Sequence, residues 1–164
     1  MRRNTMIASA SAVLVVVVAS VVVMSRHAPT RWYSTYGSSD AAAVNQDNQI
    51  LVSDLALPPG PAASHLRYDC GIGLRDLTRV LSHPQPPDQT LRRLYRRALI
   101  QNATTYRTCE RVFAPGGGAS PTNALVSVRT DVRRLARDES AVNGRARVLG
   151  LGTLLLLPAG APSS

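Results

Sequence analysis

The run from Met6 to Met24, "MIASASAVLVVVVASVVVM", holds 19 residues without a charge, and no other feature limits the chain so strongly. About 20 apolar residues at about 1.5 Å each cover a bilayer core of about 30 Å, so the run can span. In water, a helix that is apolar on every side must be covered by protein on every side. Nothing else in the sequence could provide that cover. A cleavable export signal has a shorter apolar core, about 7 to 15 residues, followed by small residues before the cut. Here Ser25-Arg26-His27-Ala28-Pro29 follows, and the small residues Ala8 to Ala12 lie ahead of the valines instead. The expectation is an uncleaved transmembrane signal anchor, with a cleaved signal and a secreted chain as the alternative. Arg2, Arg3 and the amine slightly outweigh Arg26 and Arg31, which orients the N-terminus inside and the remainder outside.

This reading divides the chain into a basic segment at 1–5, an anchor at 6–24, a stalk or linker at 25–61 and a small external domain at 62–164. All 19 basic residues are Arg, against 10 acidic, for a net charge of +9. Such a chain is drawn to anionic surfaces. The missing Lys, beside abundant Ala, Gly and Pro, reads as the codon usage of a GC-rich genome, a large DNA virus or a bacterium. Charge alone is therefore a weak sign of nucleic-acid binding.

Cys70 and Cys109 are the only cysteines, and an even pair in an exported domain reads as a disulfide. Asn102-Ala103-Thr104 is a glycosylation sequon. It falls inside "QTLRRLYRRALIQNATTYRTCERVF", the best-defined helix, which Asp88 caps. At 100° per residue Leu91, Leu94, Tyr95, Ala98, Tyr106, Cys109, Val112 and Phe113 share one side. Arg93, Arg97, Arg107 and Arg111 face the other way, a solvated face and a candidate surface for a partner or anion. Asn102 points into the apolar stripe, so the sequon is expected to be unmodified.

Ahead of this helix, "LRDLTRVL" at 74–81 has helical spacing, and His83-Pro84-Gln85-Pro86-Pro87 stops it. Twelve helical residues back from Ser82 reach about 18 Å, whereas 21 beyond Asp88 reach about 31 Å, so two straight arms would leave the cysteines out of register. An extended Cys70–Gly73 segment at about 3.3 Å per residue would lengthen the first arm to about 26 Å and explain the glycines at 71 and 73 without a phosphate. Ser120 and Pro121 open a further helix with Leu125, Val128, Val132 and Leu135 on one face, although "LVSVRTDV" also alternates like a strand. Asn143-Gly144 should end it. The fold class expected is mainly α, a small disulfide-stapled helical ectodomain. Its α+β variant adds short strands at 50–57 and 148–157.

Catalytic chemistry is not legible. His27, His65 and His83 have no pairwise metal-ligand spacing, the cysteines are too far apart for a metal knuckle, and no nucleophile elbow or phosphate loop occurs. Asp69 and Asp76 read as surface ion-pair partners of Arg75 and Arg79. No catalytic residue, metal or cofactor is expected. The function expected is that of a non-enzymatic, membrane-anchored external protein that binds a protein partner in a surface or envelope complex. The alternatives are a secreted factor or accessory glycoprotein subunit, and an Arg-rich binder of anionic polymer.

Overall fold

The computed structural model describes residues 27–116 and 120–155. The anchor expected at 6–24 lies outside the described residues, and no described helix is long and apolar enough to cross a membrane. The architecture is mainly helical: α1 Ser38–Leu55, α2 Pro59–Ser82, α3 Gln89–Val112 and α4 Pro121–Val148. Short connections force each helix to run antiparallel to the one before it. Neighbours in sequence pack side by side, and α2 also touches α4. The result is an up-down-up-down bundle around a core that includes Val44, Leu51, Leu66, Leu77, Leu91, Leu99, Val128 and Val132.

No strand occurs among the described residues, so neither expected strand is found. Residues 50–55 belong to α1, whose Val44, Leu51, Val52 and Leu55 are buried. What was expected to be a stalk therefore fills one quarter of the bundle. Residues 27–32 are already helical and pass through a π-helical turn, Tyr33–Gly37, into α1. A Cβ on Gly37 would collide with the Trp32 ring, so the glycine lets the indole fold flat against its own helix. From there Trp32 donates to the Pro84 carbonyl at 2.7 Å and meets the Tyr95 ring edge-on at 5.7 Å.

Cys70 and Cys109 are bonded, with α-carbons 6.1 Å apart, within the reach of a disulfide. The register problem is solved differently from the expectation. Helix α2 is continuous from Pro59, which occupies its first turn where the missing N–H is harmless. Residues 70–73 are helical, not extended. The connection absorbs the offset: His83 and Asp88 both have extended backbones, and the six residues between the helices reach further than the roughly 13 Å difference between the arms. Helix α3 accordingly overhangs α2 by about two turns, and Trp32 packs on that overhang. Gly73 has its own reason, since the Tyr106 ring lies where its Cβ would be.

Asp88 caps α3 by accepting from Leu91 N at 2.7 Å, and Ser120 caps α4 with Pro121 in its first turn, both as the sequence predicts. Helix α4 does not stop at Asn143-Gly144. It runs to Val148 and ends in a paired turn in which Leu151 N bonds the Ala146 carbonyl and Gly150 N the Arg147 carbonyl, each at 3.0 Å. That geometry needs a left-handed residue, and Gly150 has φ +69°. Asn143 then clamps the tail: its Oδ1 accepts from Leu154 N and Leu155 N at 3.0 and 3.1 Å, and its Nδ2 donates to the Leu155 carbonyl. The described part of the segment expected to be a strand, 149–155, is thus an irregular strap that buries Leu151, Leu154 and Leu155, and residues 156–157 lie outside the described residues.

Candidate functional site

Charge is unevenly shared between the two halves of the bundle. Residues 27–82 carry four Arg and five carboxylates, whereas residues 88–148 carry twelve Arg and five carboxylates. The helical period explains the outward display, because the stripes that bury Leu91, Tyr95, Ala98 and Leu125, Val128, Val132 leave the arginines on the solvent side. Two shallow hollows adjoin on this side of the bundle: one between α3 and α4, lined by Arg97, Arg134 and Arg137 with Asp138, and one along α3 alone, lined by Arg92, Arg93, Arg96 and Arg97. Ile100, 48% exposed, lines both. Asp138 meets Arg97 at 2.7 Å, and Asp131 meets Arg134 at 3.1 Å, so acids partly offset the rim.

Of the four arginines singled out on α3, Arg93 and Arg97 line the hollow along α3, and Arg97 also lines the one between α3 and α4. Arg107 and Arg111 are exposed on the same helix about three and four turns beyond Arg97, outside both hollows. The α4 residues Arg134 and Arg137, which line only the hollow between the helices, are not visible as part of this surface from the sequence. At its lower end Arg145 grips Asp88 with two bonds, at 3.1 and 2.7 Å, which holds that carboxyl below the ordinary range and ties the start of α3 to the end of α4.

Asn102 is fully buried on α3, and neither its Nδ2 nor its Oδ1 has a hydrogen-bond partner among the described residues. An oligosaccharide cannot leave from such a position in the folded bundle. Near it lies a polar layer that crosses the core: Tyr106 OH donates to Asn48 Oδ1 at 3.4 Å, and Asn48 Nδ2 donates to Glu139 Oε1 at 3.1 Å. These three residues come from α3, α1 and α4 and are separated by up to 91 positions in sequence. Burial first, and then the negative charge of Asp47 and Glu139, pushes the Tyr106 hydroxyl well above its ordinary range, so it stays a donor. Such a layer fixes which helix faces which, because sliding one helix would strand the others' polar groups.

The third cluster lies where α1 turns into α2. Sequence reasoning expected no metal ligands and assigned Asp69 to a surface ion pair. Asp76 does pair with Arg79, at 3.0 Å. Asp69 instead joins Asp54 and His65, and one ligand atom from each of the three lies within 4.8 Å of the others. Burial, and next the adjacent Asp69 carboxyl, holds the Asp54 carboxyl well above the ordinary range. The one sequence signal for this cluster was the four-residue spacing of His65 and Asp69, which means something only once α2 is known to extend that far. The other ordered histidine pair is His83 Nδ1 with Asp40 Oδ1 at 2.8 Å, joining the end of α2 to the start of α1.

No protein family, curated protein or solved structure matches this chain. Its reading rests on the chemistry of these surfaces.

Proposed function

We propose that the bundle is the external part of a single-pass membrane protein, anchored through residues 6–24 with its N-terminus inside, and that it acts without catalysis by binding the acidic surface of a partner protein. The observation that carries this reading is the pair of adjoining hollows on the α3–α4 face, whose linings together hold six arginines and share the exposed Ile100. Guanidinium forks recognise carboxylates bidentately, and an apolar residue ringed by Arg is the composition of an interface centre rather than of an ordinary solvated face. The disulfide supports an oxidising exterior.

The test uses the full chain in its own membrane. Cross-linking at low and high salt should yield a discrete heteromeric product, and Arg93→Glu with Arg96→Glu and Ile100→Asp should abolish it while the circular dichroism stays unchanged. Persistence of the product in that variant would remove the groove from the interface. Intact mass and N-terminal sequence of the mature protein decide the anchor: a soluble chain beginning near residue 29 would make it a secreted factor or subunit instead. Tight, steeply salt-dependent binding to heparin or DNA, with no protein product, would favour the anionic-polymer reading.

A further inference from the structure

Asp54 stands in the last turn of α1, and the chain needs only residues 56–58 to turn into α2. His65 and Asp69 are four residues apart on α2, so they share one face. His65 Nδ1 lies 3.7 Å from Asp54 Oδ1, and Asp69 brings a second carboxylate into the same space. A second feature points to an occupant. Asp54 is only 7% exposed, and its Oδ2, shut off from solvent, meets no N–H or hydroxyl donor among the described residues, while its carboxyl shares a hydrogen bond with the second carboxyl of the cluster, Asp69. The end of α1 is the negative pole of that helix, and two acidic side chains are added to it. The chain carries 19 Arg, yet the ion pair that Asp54 makes is with His65. Arg129 reaches the end of α1 from α4, but its contact is with the Leu55 carbonyl, at 2.6 Å.

We propose that Asp54, His65 and Asp69 form a site for a divalent transition cation, Zn²⁺ in the first place, which fastens the end of α1 to the first turns of α2 and leaves a fourth position open to solvent. One imidazole nitrogen and two carboxylate oxygens are a donor set that Zn²⁺ accepts at about 2.0 to 2.2 Å. Ca²⁺ and Mg²⁺ favour all-oxygen sites, so the imidazole argues against them. Tetrahedral ligand atoms at those bond lengths would lie about 3.3 Å apart, so the separation of 3.7 Å between His65 and Asp54 is nearly right. The remaining closure falls to the mobile side chains, and His65 is 59% exposed and free to make it. Three protein ligands and an open side are the coordination of a site that holds water or accepts a group from outside. The cluster lies at the opposite end of the bundle from the Asp88–Arg145 clamp and shares no residue with the arginine groove, so its failure would leave that reading untouched.

The experiment is a Zn²⁺ titration of the full chain in mild detergent, oxidised and stripped with chelator, followed by calorimetry and by thermal unfolding. One Zn²⁺ per chain should bind, with a rise in Tm that chelator reverses. His65→Ala and Asp69→Asn, both at accessible positions, should each weaken binding at least tenfold while the metal-free Tm stays within a degree or two. His83→Ala, at the other histidine–carboxylate pair, should leave the affinity unchanged. Absence of stoichiometric binding overturns the proposal. So does affinity that survives in both His65→Ala and Asp69→Asn, affinity lost in His83→Ala, or an equal Tm rise with Ca²⁺.

Discussion

Replacing Asn102 with Leu should stabilise the protein, against the usual sign for a core substitution. The two side chains branch at the same atom, so the change exchanges an amide oxygen and nitrogen for two methyl groups with little change of shape. In the native core both amide atoms are enclosed and neither is bonded. An unpaired buried amide costs about 1 to 3 kcal/mol by mutational measures. Burying the two methyls instead of leaving them wet adds about 1.5 kcal/mol or more. Crowding acts in the other direction, because the methyls are bulkier and overpacking costs about 1 to 3 kcal/mol. The net expectation is a gain of about 1 to 2 kcal/mol. In urea unfolding of the oxidised full chain this is a rise of about 0.5 to 1 M in midpoint at constant slope. Asn102→Ala is the companion, since it removes the amide without adding bulk. It should be near neutral, whereas truncating a well-paired core side chain costs about 2 to 5 kcal/mol. A loss of 2 kcal/mol or more in both variants would show that the amide is bonded in solution, by a buried water or a shifted neighbour, and would refute the reasoning.

Cys109→Ser should lower stability by about 4 kcal/mol in the oxidised protein, from the closure of a loop of 39 residues, and by much less when both proteins are reduced. Equal melting of the two without reductant would show that the bond contributes nothing. Gly73→Ala should destabilise by about 2 kcal/mol or more, although alanine ordinarily favours a helix interior by about 1 kcal/mol, because the new methyl meets the Tyr106 ring. Paired with Tyr106→Leu it should recover most of the loss, and a denaturation series checks both. Burial first, and then the nearby Asp76 and Asp69 carboxylates, raise Asp47 to about 6. A raised carboxyl binds its proton more tightly in the folded state, so this stability is present below the unfolded value of about 4 and is lost as pH rises through about 6. Asp47→Asn should remove that decline, about 1 to 2 kcal/mol once partial solvent screening is allowed for. An unchanged profile of midpoint against pH between 4 and 7 would assign the decline to another group.

Helices α3 and α4 are legible in the sequence because their signals are local: Asp88 and Ser120 supply caps, Pro121 starts a turn, and a single apolar stripe runs opposite the arginines. Helix α1 is not, since Asp40, Asp47, Asn48 and Asp54 lie on its buried side and break the stripe. What makes those residues acceptable comes from elsewhere in the chain: His83 for Asp40, Glu139 and Tyr106 for Asn48. Only the assembled bundle provides these partners. The same holds for Gly73, whose low helix propensity suggests an irregular segment until the Tyr106 ring is seen resting on it. The arginine face was half visible, because a helical wheel displays α3 but cannot bring α4 alongside. The α1–α2 cluster was hidden by the prolines at 58, 59 and 61, which read as a break and in fact start α2.

An even number of helices returns the chain to the pole from which it set out. The first described residues, the Asp88–Arg145 clamp and the Asn143 strap gather at one end, while the turn at 56–58 and the loop after Val112 occupy the other. From residue 27 to Asp54 the chain climbs one continuous helical rod of about 40 Å at about 1.5 Å per residue. A fluorophore or affinity tag following Leu155 would therefore emerge at the same end of the bundle as residue 27. The same label inserted near Ala114 would ride at the far tip. If the chain is anchored as proposed, energy transfer from a dye in the lipid would distinguish the two attachment points by tens of ångströms, and so report whether the bundle stands upright or lies down.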